Sequence, residues 1–129
     1  MILTKNAPAI RVRRILIIEE EKISAFLLAL LLQREGFQVE IATNADAGCH
    51  CALSQHFDLL ILNIPQSPDS GFDLYRSLRH KGVSTPVLLL NNQDEPNRML
   101  VEATDKIVCL PPASTLPELI TAVDELTAF

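Results

Sequence analysis

Runs of Ile, Leu and Val recur along the chain at Ile15–Ile18, Val39–Ala42, Leu59–Leu62, Val87–Leu90 and Ile107–Leu110. Each is continuously apolar and not alternating, the pattern of a strand buried on both faces of a covered parallel sheet. Longer segments with helical character lie between them, at about Ile23–Glu35, Ala45–Gln55, Phe72–His80, Pro96–Ala103 and Leu116–Thr127. Gly36 follows the first at the position where a helix closes with a left-handed residue. Asp94-Glu95-Pro96 offers a cap and then a first-turn Pro. Thr115 and Glu118 have capping-box spacing, with Pro117 in the first turn. Strand–helix alternation of this kind predicts an α/β fold, a single doubly wound domain with a five-stranded parallel sheet over 14–129. Residues 1–13 read as a short arm, and the cluster Arg11, Arg13, Arg14 as a solvated entry to the first strand.

Composition narrows the class. The 129 residues suffice for one domain that buries roughly two-thirds of its unfolded surface. With 48% hydrophobic and 21% charged residues, a disordered or fibrous chain is excluded. A formal net charge of −5 gives the domain no electrostatic reason to bind nucleic acid or an anionic membrane. The apolar run Ala25–Leu32 is far shorter than the roughly 20 residues of a membrane helix. Met1–Arg14 lacks an apolar signal core, and 3 Cys without repeating spacing suit a reducing compartment. A cytoplasmic domain is the expectation.

In a doubly wound sheet the functional site lies at the carboxyl ends of the strands, beside the switch in strand order. The residues there are Glu19-Glu20-Glu21, Asn63, Asn91-Asn92 and Pro111-Pro112. Their order, with Ile15-Leu16-Ile17-Ile18-Glu19-Glu20, Asp58-Leu59-Leu60-Ile61-Leu62-Asn63, Phe72–Arg79, Pro86–Leu90 and Leu110-Pro111-Pro112, resembles the receiver domain of two-component response regulators. The resemblance runs from Arg14 to Leu126 and implies a CheY-like, flavodoxin-like (βα)5 fold.

The departures from that family carry the functional expectation. The resemblance implies an Asp at position 63 that accepts a phosphoryl group, and this requires an ionised carboxylate as nucleophile. Asn63 has an uncharged amide and cannot do this. The family's phosphate-neutralising Lys is Pro111, its hydroxyl-bearing Thr is Asn91, and its switching aromatic is Val108. Pro112 keeps the family's Pro and with it the option of a cis bond. The paired Asp become Glu19 and Glu20, weak candidates for a metal, because Mg²⁺ tolerates little misplacement of its ligands. Loss of the Asp and the Lys together leaves the pocket's net charge unchanged. The run Glu19–Glu21 either raises a carboxyl pKa by repulsion or splays into water at a sheet edge.

Other constellations point to less chemistry. Cys49-His50-Cys51, with His56 nearby, lacks zinc-ligand spacing, and residues two apart on a helix diverge. These cysteines and Cys109 read as small core hydrophobes, and His50, His56 and His80 as surface residues. The first helix is apolar almost all round. The resemblance directs Leu27, Leu28 and Leu31 to the sheet and leaves Ile23, Phe26 and Leu30 outward, as a face for dimerisation or docking unless the last helix covers it.

The expected function is a phosphorylation-independent receiver-like signalling or interaction module, not an enzyme, with no cofactor. It would control an output domain, such as a DNA-binding transcription regulator, or bind a partner protein. The alternative is a residual phospho-receiver with unconventional Mg²⁺ or phosphate handling. A flavin- or nucleotide-dependent enzyme would need a glycine-rich phosphate loop after the first strand, where Glu19–Glu21 would repel phosphate.

Overall fold

The computed structural model describes residues 12–63, 70–90, 106–111 and 114–128. Strands β1 (Arg14–Glu19), β2 (Gln38–Ala42), β3 (Leu59–Asn63), β4 (Val87–Leu90) and β5 (Ile107–Leu110) form one sheet. Its order is β2-β1-β3-β4-β5 and every neighbouring pair is parallel. Helices α1 (Lys22–Arg34), α2 (Ala45–Ser54), α3 (Ser70–His80) and α4 (Leu116–Leu126) are described. The expected helix at Pro96–Ala103, with its cap, lies outside the described residues.

Both faces of the sheet are covered, which explains the unbroken apolar runs. Leu16, Ile18, Leu60, Leu62 and Leu89 pack with Ala52, Leu74 and Leu78 of α2 and α3. Their neighbours Ile15, Ile17, Leu59, Ile61 and Leu88 pack with Ala25, Ala29 and Leu32 of α1 and Leu119, Val123 and Leu126 of α4. Successive strand residues therefore alternate between two cores, as pleating requires.

Local chemistry sets the helix ends. The Glu21 carboxylate accepts from the Ser24 backbone N–H at 2.6 Å and caps α1. Gly36, at φ +96°, closes α1, with the Phe37 N–H reaching back to the Leu32 carbonyl. Asn44 caps α2 through Ala47 at 2.7 Å. Thr115 and Glu118 form the expected capping box at α4.

Two expectations need correction. Leu27 does not face the sheet: it is 55% exposed, while Leu28 and Leu31 are half-buried. Ala25, Ala29 and Leu32 occupy the inward arc, because alanines let the helix backbone approach the sheet closely. The arginines at the entry are not simply solvated. Arg14 donates to the His56 carbonyl and the Gln55 side chain at 2.8 Å each, pairs with Glu40, and lies 4.8 Å over the Phe57 ring. Arg13 pairs with Asp124 at 3.6 Å beside Thr127, tying the start of β1 to the end of α4. Arg11 lies outside the described residues.

Candidate functional site

The chain passes from β1 to β2 on one side and returns to β3 on the other, so β1 and β3 flank the switch in strand order. Parallel register there sets Glu19 opposite Asn63 as the last ladder pair. The two side chains meet: Asn63 Nδ2 donates to Glu19 Oε1 at 2.7 Å. Glu19 is 2% exposed, because β1 is an inner strand.

The acidic run therefore divides. Glu21 turns out to water and caps α1, where hydrogen bonds from Ser24 hold its carboxyl below the ordinary range. Glu20 is half-buried and Glu19 is turned fully inward. The splayed arrangement thus holds for Glu21 alone. Burial pushes the Glu19 carboxyl above its ordinary value, against the opposing hydrogen bonds from Asn63 and Ser24. The direction matches the sequence expectation, but repulsion from Glu21 is the smallest contributor and desolvation the largest. The influence of Ser24 on the Glu19 carboxyl escaped the sequence reading. Its signal was a lone polar residue in the first turn of an otherwise apolar helix.

Among the described residues, two buried oxygens, Glu19 Oε2 and Glu20 Oε1, have no hydrogen-bond partner. A divalent cation is one group that could satisfy such atoms, and Mg²⁺ takes six oxygens in near-octahedral array. Among the described residues, no three His, Cys, Asp or Glu side chains are grouped to hold a metal. The third neighbour is an amide whose NH₂, the positive end of its dipole, is aimed at Glu19. This donor set does not fit Mg²⁺. Burial disfavours the charged form of Glu19, and the hydrogen bond from Asn63 opposes that effect.

Val108 lies on β5 and Pro111 directly after it, separated from β3 by β4. Pro111 is half-buried, and its carbonyl accepts from the Ser114 N–H at 3.0 Å and its hydroxyl at 2.7 Å. Val108 is half-buried against the core shared by α1 and α4. Asn91 and Pro112 lie outside the described residues. Cys109 is buried, whereas Cys49 and Cys51 are half-buried against the core beneath α2. His50, His56 and His80 are exposed.

The parallel β2-β1-β3-β4-β5 sheet, with an acidic turn facing the end of β3 at its switch point, defines a doubly wound regulatory domain of the CheY type. The family model for the response regulator receiver domain matches residues 15–108, and the chain belongs to that family. Response regulator protein PmrA of Pseudomonas aeruginosa is 39% identical over 82 residues, 64% of this chain and 37% of that protein. Transcriptional regulatory protein CusR of Escherichia coli is 38% identical over 77 residues, 60% of this chain and 34% of the relative. The chain thus spans little more than a third of these curated relatives. Among solved structures, Thermotoga maritima response regulator TrrA, in complex with Mg²⁺-BeF, superposes with a TM-score of 0.73 at 25% identity. That match covers 89% of this chain and 99% of TrrA. A Francisella receiver domain gives 0.76 at 19% identity, covering 89% of this chain and 96% of that one. Among the described residues, no helix is long and apolar enough to cross a membrane.

Proposed function

We propose that this receiver domain works without phosphorylation, as a cytoplasmic interaction module that controls an output domain or a partner protein through surface contacts. The observation that carries the reading is the amide of Asn63 at the end of β3, engaged as a donor to the buried Glu19. Forming an acyl phosphate needs a carboxylate oxygen with a lone pair free to attack phosphorus, and an amide has no such oxygen. Pro111 adds neither a charge nor a donor to hold a phosphoryl group. An amide–carboxyl hydrogen bond takes the place of the cation that a phosphorylated pocket would require.

The similarity to transcriptional regulatory protein CusR supports transcription as the output that the domain would control. The domain would act on DNA only through an attached module, because it carries a net charge of −5 and 5% aromatic residues.

Incubation with acetyl phosphate and Mg²⁺, followed by intact mass measurement, tests the reading. The expected spectrum shows the unmodified mass alone. A gain of one phosphoryl group, mapped to Glu19, Glu20 or another acidic residue, would favour a residual phospho-receiver instead.

A further inference from the structure

The outer face of α1 exposes Ile23, Phe26 and Leu30, whereas reactive chemistry lies across the sheet, between α2 and α3. There Lys81 Nζ donates to the half-buried Cys49 Sγ at 3.3 Å, joining positions 32 residues apart. Both ends of this contact are held by the fold. A Cβ on Gly48 would stand 2.5 Å from the Ile18 side chain, so Cys49 belongs to a stretch of α2 seated closely on the sheet. Lys81 follows α3 in its closing turn, with its N–H bonded to the Ser77 carbonyl at 3.0 Å. Gly82 at φ +92° completes that turn, and the Val83 N–H returns to the Leu78 carbonyl at 2.9 Å. The sulfur and the amine open onto a groove of about 640 Å³ whose lining includes Asp46, His50, Asp73 and Ser77.

We propose that this pair is a site of modification by hydroperoxides, in which Lys81 captures oxidised Cys49 as a reversible sulfur–nitrogen cross-link between α2 and the end of α3. In the first step the Cys49 sulfur attacks one oxygen of the peroxide. The S–O bond forms, the O–O bond breaks, and the thiol proton leaves with the departing oxygen. Sulfur is thereby oxidised to a sulfenic acid and hydrogen peroxide is reduced to water. In the second step the Lys81 ammonium gives one proton to solvent, and its lone pair displaces hydroxide from that sulfur. A second proton from the nitrogen completes the departing water, which leaves a neutral sulfenamide and consumes no further oxidant. Sulfenic acids condense with a thiol or with a neighbouring nitrogen. Here the nitrogen has the advantage. Cys51, two residues along α2, points away from Cys49, and Cys109 is buried on β5 at the far edge of the sheet from β2. Lys81 Nζ already stands within the range of about 3–3.5 Å from which reacting atoms gain most by proximity. The groove also selects the oxidant. Asp46 and Asp73 disfavour disulfides that carry carboxylates and admit a small uncharged peroxide.

Intact mass and tryptic mapping after brief exposure to a small molar excess of hydrogen peroxide test the proposal, in the wild type and in Cys51→Ser, which cannot form a disulfide within α2. Both proteins should lose two hydrogens, about 2 Da, as monomers. Trypsin should then fail to cut after Lys81 and should yield Glu35–Arg76 joined to His80–Arg98. Dithiothreitol should restore the original mass and the cleavage. Lys81→Gln and Lys81→Arg alter an exposed side chain and should fold like the wild type. In both, the cross-link should be absent and Cys49 should remain a sulfenic acid, about 16 Da heavier and labelled by dimedone. Because Lys81→Arg keeps the positive charge, its failure to cross-link isolates the amine as the attacking group. A Cys51→Ser protein that is unmodified or only gains oxygen at Cys49 would overturn the proposal. So would the same loss of mass in Lys81→Arg, or a cross-link that reduction does not reverse.

Discussion

Replacing Asn63 with Asp tests the account of the site most directly. The amide donates to Glu19 Oε1 at 2.7 Å, so Asn63→Asp sets two carboxyl groups in contact at an inner strand. Two unit charges at about 3 Å repel by about 5 kcal/mol at an effective dielectric of about 20. The molecule does not bear that full cost, because one carboxyl can take up a proton. Protonating a group of ordinary pKa 4.5 at pH 7 costs about 3 kcal/mol, at 1.36 kcal/mol per pH unit. Glu19 is already raised by burial, which lowers the ceiling further. The variant should therefore lose about 2–3 kcal/mol at pH 7, which corresponds to about 10 °C in Tm. Near pH 4 the loss should nearly vanish, since a shared proton then replaces the amide hydrogen bond. Urea denaturation followed by circular dichroism at pH 4 and pH 7 measures both values. Millimolar Mg²⁺ should return part of the loss in the variant, which gains a third carboxylate, and leave the wild type unmoved. Equal stability of the two proteins at pH 7, or a deficit independent of pH, would refute the picture of a buried carboxyl held by an amide.

Two further changes probe the surroundings of that contact. Glu19→Gln keeps an acceptor for Asn63 and removes the titration. A carboxyl raised in the folded state stabilises fully below its ordinary value of 4.5 and loses that contribution as pH climbs through the raised value, so the variant should gain on the wild type over that window. A thermal-melt series in which the variant instead falls behind toward neutrality contradicts the burial of Glu19. Gly48→Ala would ordinarily strengthen a helix by about 1 kcal/mol. Here the added Cβ would come within 2.5–2.8 Å of three atoms of the buried Ile18 side chain, so a net loss of about 1–2 kcal/mol is expected. Ile18→Val, which removes the nearest of those atoms, should restore part of it.

The sheet was legible in the chain because strands buried on both faces leave an unbroken apolar signature, and Leu59–Leu62 and Val87–Leu90 carry it plainly. The cap at Thr115 involves Glu118 three residues away, so sequence spacing suffices to locate it, whereas the Asn44 cap, which uses only the Ala47 backbone, was not read. That position 63 carries an uncharged amide follows from residue type alone.

Tertiary structure decided what depends on distant neighbours. From Ile23 to Leu32 nearly every residue is apolar, so no periodic contrast marks the inward face of α1, and Leu27 was misplaced. Only packing against β1 and β2 selected the alanine arc, through close approach of backbones. Likewise, three consecutive glutamates read alike in the sequence. Their division into a buried acid, a half-buried one and an exposed helix cap follows from the inner position of β1 and its register with β3. A side chain's charge belongs to its residue type, but its solvation belongs to whatever the fold brings beside it.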